Sequence, residues 1–388
     1  NIAIGYDAMT TNTAGGEKNV ALGNYALDAL TSGDFNVAVG YDVLTANTTG
    51  YGNTAVGEST MLANTEGYYN TATGRLALQA NTTGDFNTAN GYRSLYTNTT
   101  ANNNTALGSY ALNLNTTGGN NTAVGMESMK SNTTGTGNTG IGAYALDANT
   151  TAINNTAIGY QALTTNTTGA QNVAMGYLAL GLQTTGEYNV AIGGQALYNN
   201  TTANNNVAVG YQSSLANTTG HSNTAIGNHT FKGNTTGNNN TTLGYAAMVA
   251  NTTGTRNIAI GAYAYDASDT ENDNIAIGYE AMTTNTAGGS ENIAIGSYAL
   301  NDLTSGDYNT VVGHYAGDVL TSGGSNTMFG QQAGSAQTTA SNSTFIGAFA
   351  GEATTTGADN TAVGKDALKV NTTGNSNVAI GNGALIAH

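Results

Sequence analysis

The sequence contains no cysteine, no proline and no tryptophan. Without cysteine the chain can form no disulfide and no thiolate metal site, and it has no cysteine nucleophile. Charged residues make up only 8% of the chain, against about a quarter in ordinary globular proteins. The sequence also lacks an apolar run of about 18 residues, so we expect no direct insertion into a membrane.

Basic residues are especially scarce. The chain has 8 lysines and arginines against 23 aspartates and glutamates, which gives a formal net charge of −15. Nucleic-acid binding requires clustered Lys and Arg that displace counterions from phosphates. The composition therefore excludes nucleic acid as a partner, and it indicates no cofactor.

One motif fills the chain from end to end. Residues 36–50 read NVAVGYDVLTANTTG, and variants of this segment recur 23 times, each starting at an asparagine or, once, at Ser343. The interval is 17 residues except at two places, where one extra residue falls in the same turn, at Gly15-Gly16 and Gly288-Gly289. An insertion confined to one turn marks that turn as a surface loop. We number the repeat positions 1–17 from the first residue, and the repeats as coils 1–23.

The period predicts the fold class. Seventeen residues are too few for a helix pair and match one coil of a parallel β-solenoid, or β-roll. The sequence predicts an all-β chain of 23 coils, with strands at positions 1–4 and 8–12 and turns at 5–7 and 13–17. Proline is absent because each strand amide must donate to a neighbouring coil. We interpret residues 1–388 as one continuous domain and, since residue 1 is not Met, as a fragment of a longer fibre.

Two columns of the repeat are nearly invariant. Position 5 is Gly in all coils, from Gly5 to Gly381. This predicts a backbone with positive φ, or an approach too close for a Cβ. Position 1 is Asn in 22 of 23 coils. Stacked at the strand spacing, these side chains should form an asparagine ladder.

Apolar residues stand next to each other instead of alternating with polar ones. Positions 3, 4, 8 and 9 are mostly Ala, Val/Ile/Leu, Ala and Leu/Met. Neighbours in a strand point to opposite faces, so this predicts burial of both faces and a homo-oligomer: a trimer first, a longer filament second. We expect positions 3 and 9 to share one compartment and positions 4 and 8 the other.

Three consecutive coils carry a substitution in each of two columns. Position 3 is Val311, Met328 and Phe345 in these coils, and position 9 is Gly317, Gly334 and Gly351. A packed interior requires such an exchange of volume between columns. We therefore predict that Phe345 fills the space left by Gly351, and Met328 the space left by Gly334.

Segments such as NVAIGGQAL (189–197) and NIAIGSYAL (292–300) resemble the head repeats of trimeric autotransporter adhesins and related repetitive bacterial and phage fibre proteins. The resemblance covers the whole chain, although these coils are longer than the usual head coils and carry an additional Asn-Thr-Thr-Gly turn. It implies a left-handed parallel β-roll, three chains side by side, and a location outside the cell, on a cell surface or in a virion fibre.

Tyrosines provide the first candidate site. Fourteen of the 22 fall at positions 6 or 7, directly after the invariant glycine. Stacked coils would align them along one rim, where exposed aromatic rings can bind sugars or proteins. Packing of each ring on its neighbour is the structural alternative. The rim is represented by Tyr41, Tyr92, Tyr160, Tyr177, Tyr211 and Tyr245.

The Asn-Thr-Thr turns provide the second candidate site. They fit the glycan acceptor pattern Asn-x-Thr, although local side-chain hydrogen bonds explain them equally well. The candidate acceptors are Asn47, Asn81, Asn98, Asn115, Asn132, Asn149 and Asn166. The Thr columns also raise an ice-binding hypothesis. Acidic residues at position 16, such as Asp34 and Asp85, do not form the repeat of calcium-binding rolls.

No catalytic or metal-binding constellation emerges from the sequence. The histidines His221, His229, His314 and His388 lie in separate coils, without carboxylates at ligand spacing. We therefore expect a structural fibre or adhesin segment, a rod-like spacer that presents an attachment surface to a host receptor or surface glycan. The alternatives are a solenoid that binds glycan, ice or calcium through turn residues and, with less support, an enzyme on a β-helix.

Overall fold

The computed structural model describes residues 1–386 and confirms the fold class: the described chain is all-β, with 23 parallel strands stacked as a β-solenoid and no helix. Each strand has three residues and occupies repeat positions 2–4. The strands are β1 (Ile2–Ile4), β2 (Val20–Leu22), β3 (Val37–Val39), β4 (Thr54–Val56), β5 (Thr71–Thr73), β6 (Thr88–Asn90), β7 (Thr105–Leu107), β8 (Thr122–Val124), β9 (Thr139–Ile141), β10 (Thr156–Ile158), β11 (Val173–Met175), β12 (Val190–Ile192), β13 (Val207–Val209), β14 (Thr224–Ile226), β15 (Thr241–Leu243), β16 (Ile258–Ile260), β17 (Ile275–Ile277), β18 (Ile293–Ile295), β19 (Thr310–Val312), β20 (Thr327–Phe329), β21 (Thr344–Ile346), β22 (Thr361–Val363) and β23 (Val378–Ile380).

The chain divides into two compact units, Asn1–Asn189 with β1–β11 and Val190–His388 with β12–β23. Within each unit every strand pairs in parallel with the strand of the next coil, and equal repeat positions lie opposite each other. In the first unit Ala38 pairs with Ala55, and in the second Ala208 pairs with Ala225. Each column of the repeat therefore becomes a row of stacked side chains.

The two 18-residue coils keep this register. Ile2 pairs with Val20 and Ile275 with Ile293, both 18 residues apart. The extra residue lies in the turn, where Gly15 (φ 89°) and Gly288 (φ 105°) are exposed and have open space where a Cβ would stand. The predicted surface loop is confirmed.

The second predicted strand, at positions 8–12, is wrong. After the glycine of position 5 the backbone has positive φ at positions 7 and 9, as at Asp42 (54°) and Leu44 (52°), so the segment is a series of turns and is not extended. Its hydrogen bonds still run between coils. Asp42 donates its N–H to the Asn24 carbonyl of the preceding coil, and Leu44 donates to the Thr60 carbonyl of the following coil.

This backbone changes which residues face the interior. Positions 3, 8 and 9 are all buried, as shown by Ala38, Val43 and Leu44, each 0% exposed. The predicted pairing of positions 4 and 8 is therefore wrong. Because positions 7 and 9 are left-handed, positions 8 and 9 do not alternate between two faces as strand residues do. Position 4 points outward instead, with Val56 36% exposed and Leu243 45% exposed.

The predicted contact between positions 3 and 9 is confirmed. A Cβ added to Gly351 would lie 2.7 Å from three atoms of the Phe345 ring, and one added to Gly334 would lie 2.8 Å from the Met328 sulfur. The large residues at position 3 thus occupy the volume that Leu or Met fills in other coils.

The asparagine ladder at position 1 is also confirmed. The Oδ1 of Asn36 accepts the backbone N–H of Asn53 (3.0 Å), and the Nδ2 of Asn36 donates to the carbonyl of Gly50 (2.9 Å) at position 15. The sequence did not predict a second ladder at position 12. There Asn64 donates to Asn47 Oδ1 (2.8 Å), and Asn47 donates to the same Gly50 carbonyl (3.0 Å). That carbonyl joins both ladders in each such coil.

The exchange of volume generates a first testable prediction. Gly351→Leu beside an unchanged Phe345 should overpack the interior and lower the free energy of unfolding by about 1–3 kcal/mol. Positive φ is not the obstacle, since Leu adopts it at position 9 elsewhere. Adding Phe345→Ala should recover much of the loss, because it recreates the common Ala–Leu coil. Denaturant unfolding of both single variants and the double variant tests this, and simple additivity would contradict it.

The invariant glycine generates a second prediction. A Cβ on Gly210 (φ 134°) would lie 2.3 Å from the Gly227 carbonyl oxygen, whereas a Cβ on Gly381 (φ 126°) would meet nothing nearer than 3.9 Å. Gly381→Ala should therefore cost only the conformational strain, on the order of 1–3 kcal/mol. Gly210→Ala should lower the denaturation midpoint more, because it also forces two coils apart. Equal losses would mean that the close approach contributes nothing.

Candidate functional site

The outer face of the strands is an extensive surface without charged residues. We call positions 2 and 4 of the strands the strand face. None of the 23 strands carries a charged residue. In β12–β23 every position 4 is apolar and every position 2 is Thr, Val or Ile. Exposed large side chains include Ile226, Leu243, Phe329 and Ile346. Monomeric proteins rarely expose continuous apolar surface of this extent.

Tyrosines at positions 6 and 7 form rows beside the strand face. In the second unit a tyrosine ladder runs without a gap over seven coils, with ring centroids of consecutive members 4.7–6.3 Å apart. Its members are Tyr211, His229, Tyr245, Tyr263, Tyr279, Tyr298 and Tyr315. Three of the six contacts are edge-to-face and one is stacked, the two arrangements that aromatic rings prefer, and the two contacts of His229 are tilted.

The first unit has only short ladders. Tyr6, Tyr25 and Tyr41 form one, and Tyr144, Tyr160 and Tyr177 form another. Of the six tyrosines singled out in the sequence, Tyr92 is half-buried, and the other five are about half exposed. The rings therefore pack on their neighbours and still present surface to solvent, as both interpretations of the rim require.

One ladder hydroxyl is strongly held in its protonated form. The Glu280 carboxylate accepts a hydrogen bond from Tyr279, and this bond, together with desolvation and the nearby negative charge, raises the pKa of Tyr279 to about 12. The hydroxyl group of Tyr279 therefore remains a hydrogen-bond donor throughout the physiological range.

The candidate glycan acceptors are inside the coil, which contradicts that hypothesis. The seven side chains are 0% exposed. The Nδ2 of Asn47 donates to the Gly50 carbonyl, and each of the other six donates to the Asn Oδ1 of the preceding coil at position 12. A glycan on any of these nitrogens would break the ladder and would have no room. The buried set is Asn47, Asn81, Asn98, Asn115, Asn132, Asn149 and Asn166.

The Thr residues of the same turn have two different roles. At position 13 the hydroxyl donates to the carbonyl of the next coil, as from Thr48 to Thr65 (3.1 Å). At position 14 the side chain is exposed, as at Thr236 and Thr253. The turn therefore presents a single exposed Thr column, whereas the ice-binding hypothesis needs several parallel ranks.

Three aspartates at position 10 are half-buried. Desolvation raises the pKa of Asp147, Asp266 and Asp318 above the usual value of 3.8. Lys130 partly offsets the shift at Asp147, whereas Asp302 adds to it at Asp318. Oδ1 of Asp147 and Oδ1 of Asp318 are buried and have no hydrogen-bond partner.

The described residues contain no group of three or more acidic or His side chains that could hold a metal ion. His229 is a member of the tyrosine ladder, and His314 packs against Tyr315 at the end of the ladder. His221 contacts Ser222. His388 lies outside the described residues. Between residues 1 and 386 there is also no helix long and apolar enough to cross a bilayer.

Two clusters were not predicted from the sequence. Tyr51, Tyr68, Tyr69 and Phe86 form an aromatic patch at positions 16 and 17, with Tyr51 and Tyr68 stacked at 5.0 Å. In coil 16, Tyr265 lies fully buried at position 9, where its hydroxyl group accepts hydrogen bonds from Asn274 and Asn285. Burial and the nearby Glu271 raise the pKa of this tyrosine. The signal for the second cluster was available, because Ser268 and Glu271 replace the usual Asn and Gly of positions 12 and 15.

The chain matches no protein-family model and no curated protein sequence. Its functional interpretation rests on the strand face, the aromatic rows and the half-buried acids.

The half-buried acids predict an unusual pH dependence. A raised pKa in the folded state means that the folded chain binds protons more readily than the unfolded chain. The free energy of unfolding should therefore increase as the pH falls through these pKa values, and most of the gain should be present by pH 3.8. Below 3.8 the ion-paired Asp273 and Asp366, whose pKa values are lowered by Arg256 and Lys369, reverse the trend.

Thermal unfolding as a function of pH tests this. The triple variant D147N/D266N/D318N should be more stable than the parent chain at pH 7 and should lose most of the gain on acidification. The variant D273N/D366N should retain the increase in stability between pH 7 and 3.8. Below pH 3.8 its stability should depend less on pH than that of the parent chain. A parent profile that falls steadily from pH 7 downwards would contradict the assignment.

Proposed function

We propose that this chain is a structural segment of an extracellular fibre or adhesin, in which copies of the chain associate side by side through the strand face. A trimer is the first arrangement we consider, as the resemblance to trimeric adhesin heads implies, and a longer filament is the second. Such a fibre would project from a cell or a virion and present an attachment surface.

The observation that carries the proposal is the composition of the strand face. The interior of the coil is already filled by positions 3, 8 and 9. The residues of position 4 lie outside this interior, where they are exposed or half-buried, and all twelve in β12–β23 are apolar. A second copy of the same repeat offers a matching partner, because its rows have the same spacing and are equally uncharged.

The size of the face is sufficient for association. Twelve strands of three residues, at about 4.8 Å between strands and about 3.3 Å per residue, give a face of roughly 58 Å by 10 Å. Two such faces together cover roughly 1,100 Å², which is above the value of about 1,000 Å² expected for a specific interface. The second unit alone therefore supplies enough surface.

Light scattering of the chain at micromolar concentration tests the proposal. We expect a mass that is a multiple of 39.0 kDa, threefold for the trimer. The variant I226K/L243K places two lysines on the strand face and should shift the mass to that of one chain, because the charges would lose their hydration in the interface.

The matched control is T236K/T253K, which adds the same charges to the same two coils at exposed position 14. It should retain the mass of the parent chain. A parent chain that is monomeric at this concentration, or a control that dissociates as completely as the strand-face variant, would refute lateral association.

A further inference from the structure

The tyrosine ladder of the second unit ends at an open pocket. The last two rings, Tyr298 and Tyr315, are stacked with an interplanar angle of 1° and centroids 4.7 Å apart. The next coil has Gln331 and Gln332 at positions 6 and 7, so no ring follows. Beyond Tyr315 lies a pocket of about 490 Å³, lined by Tyr315, Asp318, Val319, Gln332, Ser335 and Ala336.

Two coils further on, the same repeat positions hold a lysine. Lys369, at position 10 of coil 22, places Nζ 4.6 Å from the centroid of the Phe349 ring at position 7 of coil 21. The ammonium lies 3.4 Å from Glu352, at position 10 of coil 21, and 2.8 Å from Asp366, at position 7 of coil 22. The ammonium group therefore lies near the Phe349 ring and pairs with the carboxylates of Glu352 and Asp366.

The first unit repeats part of this arrangement. Lys130, at position 10 of coil 8, lies 5.8 Å from the ring of Tyr110 at position 7 of coil 7 and 2.9 Å from Glu127 at position 7 of coil 8. Asp147 in coil 9 is also near enough for Lys130 to lower its pKa. A lysine at position 10 beneath an aromatic residue of the preceding coil is therefore a recurrent arrangement in this fold.

The pocket has equivalent surroundings without the lysine, with one carboxylate and one amide in place of two carboxylates. Tyr315 takes the place of Phe349, Asp318 that of Glu352, and Gln332 that of Asp366, each at the same repeat position. Position 10 of coil 20, where the lysine would be, is Ser335. The serine side chain has three heavy atoms fewer than that of lysine, and the pocket occupies the space that a longer side chain would fill.

One oxygen of the carboxylate in this pocket has no partner. Oδ1 of Asp318 is buried without a hydrogen bond, and none of the six lining residues is basic. Burial and the nearby Asp302 disfavour the charged form and raise the pKa of Asp318, although backbone hydrogen bonds from Asp318 and Val319 partly offset the shift. A buried polar atom left without a partner is costly, and a ligand cation would relieve that cost.

We propose that the pocket formed by Tyr315, Asp318, Gln332 and Ser335 binds a primary ammonium group, which takes the place that Lys369 Nζ occupies two coils further on. The ammonium pairs with Asp318 and Gln332 and lies against the ring of Tyr315. The remainder of the ligand occupies the rest of the pocket. Two sources carry this chemistry: an amino sugar and the lysine side chain of another protein.

Isothermal titration calorimetry of the full chain with three probes tests the proposal and separates the sources. Glucosamine and Nα-acetyl-lysine methylamide each carry a primary ammonium group. N-acetylglucosamine has the same sugar ring as glucosamine without the charge. We expect binding of at least one ammonium probe and none of N-acetylglucosamine. The tighter of the two ammonium probes identifies the source.

Three variants place the binding in this pocket. Ser335→Lys supplies an ammonium from the chain itself, as Lys369 does, and should abolish binding. Asp318→Asn should weaken binding by about tenfold or more, because a charge-assisted hydrogen bond is lost. Asp147→Asn removes an aspartate of the same repeat position and the same orphaned oxygen, and it should leave the affinity unchanged.

The proposal would be overturned if neither ammonium probe gave a heat of binding. It would also be overturned if the neutral sugar bound with equal affinity, or if the Ser335→Lys variant bound the ammonium probe as tightly as the parent chain. The pocket lies at positions 7, 10 and 11, away from positions 2 and 4 of the strand face. Ligand binding and the mass of the chain in light scattering are therefore independent measurements, and either proposal can fail without the other.

Discussion

The structure depends on one hydrogen-bonded contact that recurs in most coils: the carbonyl of position 15 accepts the side-chain amides of positions 1 and 12. In coil 3, the carbonyl oxygen of Gly50 accepts hydrogen bonds from the Nδ2 of Asn36 at 2.9 Å and the Nδ2 of Asn47 at 3.0 Å. Each asparagine oxygen meanwhile accepts a donor from the following coil. A buried amide without partners would be destabilising, so the two ladders hold each coil closed and hold it to its neighbours at the same time.

The backbone conformation follows from this stacking. Residues with side chains adopt φ near +50° at positions 7 and 9, at a cost of roughly 1–2 kcal/mol each. No single coil could sustain that cost. It is offset because these residues donate backbone hydrogen bonds to the coils above and below, and because position 9 then lies in the interior. Repeat proteins of this type are stable only as a sum of neighbouring coils.

The close approach at position 5 and the ladder at position 1 could be predicted from the sequence, because each leaves a strict column of one residue type. The period and the strand, predicted at positions 1–4 and observed at 2–4, could also be predicted, because small and β-branched residues recur there in every coil. The second segment could not, since leucine with positive φ contradicts ordinary local preferences. Glycine at position 9 in Gly317, Gly334 and Gly351 was a signal for that conformation. The interior role of Asn47 and its equivalents was hidden because Asn-Thr-Thr suits an exposed turn equally well. The pocket at Asp318 becomes visible only when coils are compared position by position.

Tandem similarity also creates a hazard that the volume exchange in coils 19–21 reduces. Because neighbouring coils present the same ladder, a chain could close one repeat too early or too late and still satisfy its backbone hydrogen bonds. Slippage of this kind would separate two contacts between neighbouring coils, that of Met328 with Gly317 and that of Phe345 with Gly334, and would place each large side chain beside a coil that has Leu at position 9. Overpacking and cavities both destabilise a core. These coils therefore fix the register of the repeat, because the correct stacking of the coils has a lower free energy than a stacking shifted by one repeat.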